Sequence, residues 1–113
     1  MTIRSFILIL LLVPFTVQAE DKGYMGFSIK TSISGIFKPK LKQVLVKEVI
    51  TGSPADKAGL KPGNQIIEID GCKIPGCPVE KAKSLMNKKK GNALILLIAT
   101  ELDQPKEIKI TAE

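Results

Sequence analysis

Two thiols and one serine–lysine spacing carry most of the reactive chemistry in this sequence. Cys72 and Cys77, in GCKIPGC, are its only cysteines. Pro75-Gly76 between them favours a turn. Such a turn would bring the thiols within the roughly 7 Å Cα separation that a disulfide requires. Two thiols leave a tetrahedral zinc shell half empty, and the chain has no histidine to complete it. No metal site and no cofactor is therefore expected. The same absence removes Ser–His and Cys–His nucleophile pairs. Ser84 and Lys88 stand four apart in one helical stretch, but no oxyanion hole accompanies them. No catalytic residue is assigned, and the chain is read as a non-enzyme.

The 113 residues suit one small domain. Aromatic residues are only 4% of the chain, so the core must rest on Val, Ile and Leu. MTIRS, then the apolar run FILILLLV (6–13), then PFTVQA read as a secretory signal peptide over 1–19, cleaved after Ala19. A membrane span needs roughly 20 apolar residues, and this run breaks at Pro14, so no stable span is expected after cleavage. The domain is then 20–113, and removing Arg4 lowers the net charge of +6 by one. An exported chain meets an oxidising compartment, which favours the Cys72–Cys77 disulfide. The expected location is secreted: periplasmic in a Gram-negative source, extracellular otherwise. Its basic charges are lysines apart from Arg4. They dress a soluble surface and favour acidic partners; nucleic acid is not an expected target of an exported protein.

These residues must be positioned by strands and two helices. MGFSIKTSI (25–33) has strand composition, and SGIFKPKLK (34–42) reads as a loop. QVLVKEVI (43–50) is a strand rich in β-branched residues. A very short helix follows, with Ser53 as N-cap, Pro54 at its first position, and Gly59 as left-handed cap. Asp56 is placed to complete a capping box with Ser53. Leu60 enters the core, and QIIEID runs on as a buried strand up to the Asp70-Gly71 turn. CPVEKAKSLMNKKKG (77–91) reads as a longer helix with Val79, Ala82, Leu85 and Met86 on one face. Lys88, Lys89 and Lys90 would complement its C-terminal dipole, with Gly91 as cap. ALILLIAT (93–100) and IKITAE (108–113) are the last two strands.

The stretch VKEVITGSPADKAGLKPGNQIIEIDG resembles the signature of PDZ domains of the bacterial and secreted kind. GYMGF (23–27) is similar to the family's Gly-Leu-Gly-Phe loop, and PVEKAKSLM (78–86) is similar to its groove helix. The terminal hairpin resembles that of PDZ domains in secreted processing proteases. The resemblance covers nearly the whole chain beyond Lys22. It implies an α+β fold: a partly open β-barrel or sandwich of five to six strands with one short and one longer helix.

The resemblance also implies a function. A ligand's last residues would add as a strand beside Phe27-Ser28-Ile29-Lys30. Its carboxylate would sit on the amides of the loop Tyr24-Met25-Gly26-Phe27, where Gly26 permits the required backbone angles. Met25 and Phe27 would line the pocket for the final side chain, closed by Met86. Val79 falls where the family reads the ligand's third-from-last residue and implies an apolar partner there. Members that bind a ligand hydroxyl use histidine at that position, which this chain lacks. Lys83 would favour an acidic or polar ligand residue, and Lys22 would assist the carboxylate through water. The expected activity is thus capture of protein or peptide C-termini with apolar residues. The alternatives are a regulatory partner of a secreted protease and a surface-association protein binding anionic envelope components, with an envelope protein also among the candidate partners.

Overall fold

The apolar runs pair into one antiparallel sheet. The computed structural model describes residues 22–101 and 104–113; the expected signal peptide lies outside them. Six strands, β1 (Phe27–Ser34), β2 (Lys40–Val49), β3 (Gln65–Ile69), β4 (Cys72–Lys73), β5 (Ala93–Ile98) and β6 (Lys106–Thr111), join two helices, α1 (Pro54–Ala58) and α2 (Val79–Met86). The sheet order is β1-β2-β3-β5-β6, with β4 paired to β3. The path does not close on itself, so this is an open α+β arrangement.

Alternation explains which face is buried. In β5 every second residue, Leu94, Leu96 and Ile98, is buried, and Leu94 and Leu96 lie opposite Ile110 and Ile108 of β6. Leu60, Ile66, Ile69, Leu94, Leu96 and Ile110 are the largest fully buried side chains. Each contributes about 1.5–3 kcal/mol when removed from water. The core is aliphatic, as the scarcity of aromatic residues requires.

Helix α1 is built as its sequence implies. Ser53 is extended at φ −77° and ψ 168°, and its hydroxyl accepts from the Asp56 amide. Gly59 ends the helix at φ 96°, and the Leu60 amide closes back on the Ala55 carbonyl at 3.0 Å. The capping box differs in one partner. The Asp56 carboxylate accepts from Gly52 at 2.8 Å, because the Ser53 amide already donates to the Ile50 carbonyl.

Three expectations are corrected. The segment 34–42 is loop only over 35–39: Ile33 pairs with Leu41 and Ser34 with Lys40, so Ser34 and 40–42 belong to the strands. Helix 77–91 is shorter. Cys77 is held outside it, with its carbonyl accepting from Leu41 at 2.7 Å, and Pro78 is extended. At the other end the chain leaves the helix at Asn87. Lys88 turns toward Asp70, so Lys88–Lys90 do not continue the helix and Gly91 does not cap it. Instead the Gly91 amide donates to Ala112. Strand β4 was not anticipated, being two residues long. Its pairing of Cys72 with Ile69 places the disulfide to Cys77, with a Cα separation of 5.5 Å.

Candidate peptide-binding groove

Strand β1 ends the sheet path and has a neighbour on one side only. The Ile50 amide donates to the Gly26 carbonyl at 2.8 Å, while Phe27 faces Val49 in the register. Phe27 and Val49 therefore form a non-hydrogen-bonded antiparallel pair. The amide and carbonyl of Phe27 consequently turn away from β2, toward the free edge.

Helix α2 and β1 enclose a groove of about 240 Å³. The strand contributes Ile29, Thr31 and Ile33, and the helix contributes Val79, Ala82, Lys83 and Met86. Leu41 and Ile69 close the base. The lining is aliphatic apart from Thr31 and the Lys83 rim. Ile36 and Phe37, at the hairpin tip, are 88% and 93% exposed and do not fold over it.

The loop before β1 is pinned from behind. The Met25 carbonyl accepts from Ala55 at 2.9 Å, and the Gly26 carbonyl accepts from Ile50 and more weakly from the Ser53 hydroxyl at 3.4 Å. Gly26 is at φ +82°, in the left-handed region. With both carbonyls engaged toward α1, the amides of Met25 and Gly26 have no acceptor among the described residues. Together with Phe27 they form a run of donors of the kind that holds anions. A second cavity of about 160 Å³ adjoins the run, lined by Gly23, Met25, Gly26, Phe27 and Met86.

The entry to the loop is tied down twice. The Gly23 amide donates to the Lys88 carbonyl at 2.9 Å, and Tyr24 exchanges both backbone bonds with Glu113. Lys88 forms an ion pair with Asp70, which also accepts from the Ile95 amide at 2.7 Å. A Cβ at Gly23 would lie 2.4 Å from that of Ala112, so only glycine fits at this close approach. Neither tie was legible in the sequence. Asp70 read only as a turn residue, and Lys88 as part of a charged helix end, four residues from Ser84.

The expected site residues divide into two groups. Met25, Gly26, Phe27, Ile29, Val79, Lys83 and Met86 converge on the groove and its end cavity. Lys83 is exposed and pairs loosely with Glu80 at 3.9 Å. Tyr24 and Ser28 line a different depression, with Glu48 and Ile50, so their side chains do not share the groove lining. The Tyr24 amide is also spent on Glu113. Lys22 bridges to Lys89 through the backbone and lines none of these cavities. Thr31, Ile33, Leu41 and Ile69 line the groove without having been anticipated there. For Thr31 and Ile33 the signal was present, because residues two and four beyond Ile29 share its face of the strand.

Comparison with known proteins places this geometry. A family model described as PDZ domain matches residues 15–99. The Carboxy-terminal processing protease CtpA of Bacillus subtilis (strain 168) is 39% identical over 88 residues, covering 74% of this chain and 19% of that protein. The Carboxyl-terminal-processing protease of Synechocystis sp. is 27% identical over 108 residues, covering 88% of this chain and 25% of its own length. The chain thus spans about a fifth to a quarter of these relatives. Among solved structures, a PDZ domain protein from Parabacteroides distasonis superposes with a TM-score of 0.60 at 26% identity, over 80% of this chain and 20% of that one. The photosystem II D1 C-terminal processing protease shares the fold, with a TM-score of 0.61 at 21% identity over 81% of this chain and 23% of its own.

Proposed function

The chain belongs to the PDZ domain family, and from that premise we propose that it is an exported, non-catalytic module that captures C-terminal segments by strand addition on β1. PDZ domains bind peptide C-termini, and the relatives carry this domain within larger proteases. The single observation that carries the reading is the run of donor amides over 25–27 opening onto the end of an apolar groove. A carboxylate there lies at the start of β1, so the peptide would run antiparallel to the strand. Its last side chain would enter the cavity between Phe27 and Met86, and its third-from-last would face Val79. A groove of this size implies a small interface, hence weak and transient binding.

The test is fluorescence anisotropy with labelled peptides ending in an apolar residue, each measured as free acid and as amide. The expected result is a loss of at least about tenfold on amidation, the cost of roughly one charge-assisted hydrogen bond. Equal affinity for both forms would remove the reading.

A second reading follows from the names of the relatives. The chain would present C-terminal segments to a processing protease acting in trans. Cleavage of a C-terminal peptide by such a protease, with and without the chain, tests it; an unchanged rate discards it. Export through 1–19 is tested by sequencing the N-terminus of the released protein, which should begin at Glu20.

A further inference from the structure

We propose that the tip of the β1–β2 hairpin is a docking surface for anionic lipid bilayers. Ile36 and Phe37 are neighbours in sequence and are 88% and 93% exposed, the two most exposed large apolar side chains of the described residues. They do not belong to the groove, whose strand side ends at Ile33. They are also not on a loose arm. Behind them the Pro39 carbonyl accepts from the Val79 amide at 3.1 Å, and Lys40 bridges to Pro78. Gly35 turns the chain at φ +99°, and a Cβ there would meet the Lys38 carbonyl at 2.9 Å. The tip is thus a tight turn on an anchored base.

The hairpin itself is of one charge, with Glu80 the acidic residue that follows Val79 on the helix behind it. Residues 29–46 contain Lys30, Lys38, Lys40 and Lys42 and no Asp or Glu. Ile29, Thr31 and Ile33 face the groove, so alternation puts Lys30 on the opposite side, and Lys40 stands beside Ser34 in the register. An apolar wedge with a lysine collar matches the layering of an anionic membrane surface, with acyl boundary beneath phosphate. A protein partner would have to supply a pocket for Ile36 and Phe37, whereas an anionic bilayer needs only the two exposed side chains and the lysines around them. The proposal does not depend on the groove reading.

The chain has no Trp, so F37W adds a single indole at the tip. Full-length F37W is titrated with vesicles of phosphatidylcholine alone and with vesicles containing phosphatidylglycerol, with and without bromine-labelled acyl chains. The double variant Ile36→Ser/Phe37→Trp keeps the apolar run 6–13, so a weaker blue shift and weaker quenching than in F37W separate insertion of the tip from tethering through that run. The expected result is a blue shift and bromine quenching on anionic vesicles, weakened by salt and by about fivefold for each of K38Q and K40Q. A urea denaturation midpoint unchanged in F37W verifies the fold. Emission that stays at its solvent-exposed maximum with anionic vesicles overturns the proposal. So does equal quenching on neutral vesicles, because the lysine collar would then contribute nothing.

Discussion

Replacing Gly26 by alanine should damage the fold through one other residue, Ser53. A Cβ built on Gly26 lies 2.2 Å from the Ser53 Cβ and 2.6 Å from its Oγ. Ser53 is 3% exposed and caps α1, so it has nowhere to move. Forcing an extra methyl into such a site costs about 1–3 kcal/mol. Holding an L-residue at the left-handed φ of +82° costs about 1–2 kcal/mol more. The stiffer unfolded chain offsets about 0.4–1 kcal/mol. The net expectation for Gly26→Ala is a loss of about 2–4 kcal/mol, or a fall in Tm on the order of 10–25 °C for a domain of this size. Urea denaturation measures it. The companion variant Ser53→Gly removes the atoms that Gly26→Ala would strike, at about 1 kcal/mol for the lost cap and hydrogen bond. The double variant should then be more stable than additivity allows by about 1–2 kcal/mol. Gly26→Ala within about 0.5 kcal/mol of the parent, or an additive cycle, would refute this packing argument. The cycle also bears on function: lost peptide binding in a bulky Gly26 variant would report a broken loop as readily as a blocked carboxylate.

Three further outcomes are expected. Asp70→Asn keeps an acceptor for the Ile95 amide and should cost about 1–2 kcal/mol. Asp70→Ala strips both the amide and the Lys88 ammonium of their partner and should cost about 3 kcal/mol, by urea denaturation. The Cys72→Ser/Cys77→Ser pair closes so short a loop that its loss should cost no more than about 2 kcal/mol in denaturant; a loss above about 4 would mean that the bond does more than restrict the unfolded chain. Met86→Ala should weaken binding of a free-acid peptide about tenfold, whereas Tyr24→Ala and Ser28→Ala, whose side chains line the other depression, should leave it within about twofold by anisotropy.

The legible parts of this chain are those in which local chemistry and tertiary structure demand the same residue. Ser53, Pro54 and Gly59 cap α1 wherever the helix packs, so its limits could be read directly. ALILLIAT could be read as a buried strand, and its alternation accounts for three core side chains, Leu94, Leu96 and Ile98. Helical spacing gave Val79, Ala82, Leu85 and Met86 a common face, and the resemblance of PVEKAKSLM to the family's groove helix implied the groove roles of Val79, Lys83 and Met86. Long-range commitments were hidden. Nothing local tells Lys88 to leave a helix of favourable composition. It does so because Asp70, distant in sequence, offers a carboxylate in a half-buried setting and because Gly23 claims its carbonyl. The same applies to β2. Lys40 and Leu41 follow a proline in a lysine-rich stretch that reads as loop, and only pairing with Ser34 and Ile33 makes them strand. Tyr24 shared a motif with the donor loop, but its amide is taken by Glu113, at the far end of the described chain.

The central claim is that the amides of Met25, Gly26 and Phe27 receive a peptide carboxylate while the peptide lies along β1. It is tested most directly by following backbone amide resonances during titration with one apolar peptide, first as free acid and then as amide. The free acid should shift Met25, Gly26 and Phe27 most, with smaller changes at Ile29, Thr31 and along 79–86. The amide should lose the changes at 25–27 first. Shifts of equal size for both forms, or shifts that bypass 25–27, would contradict the claim.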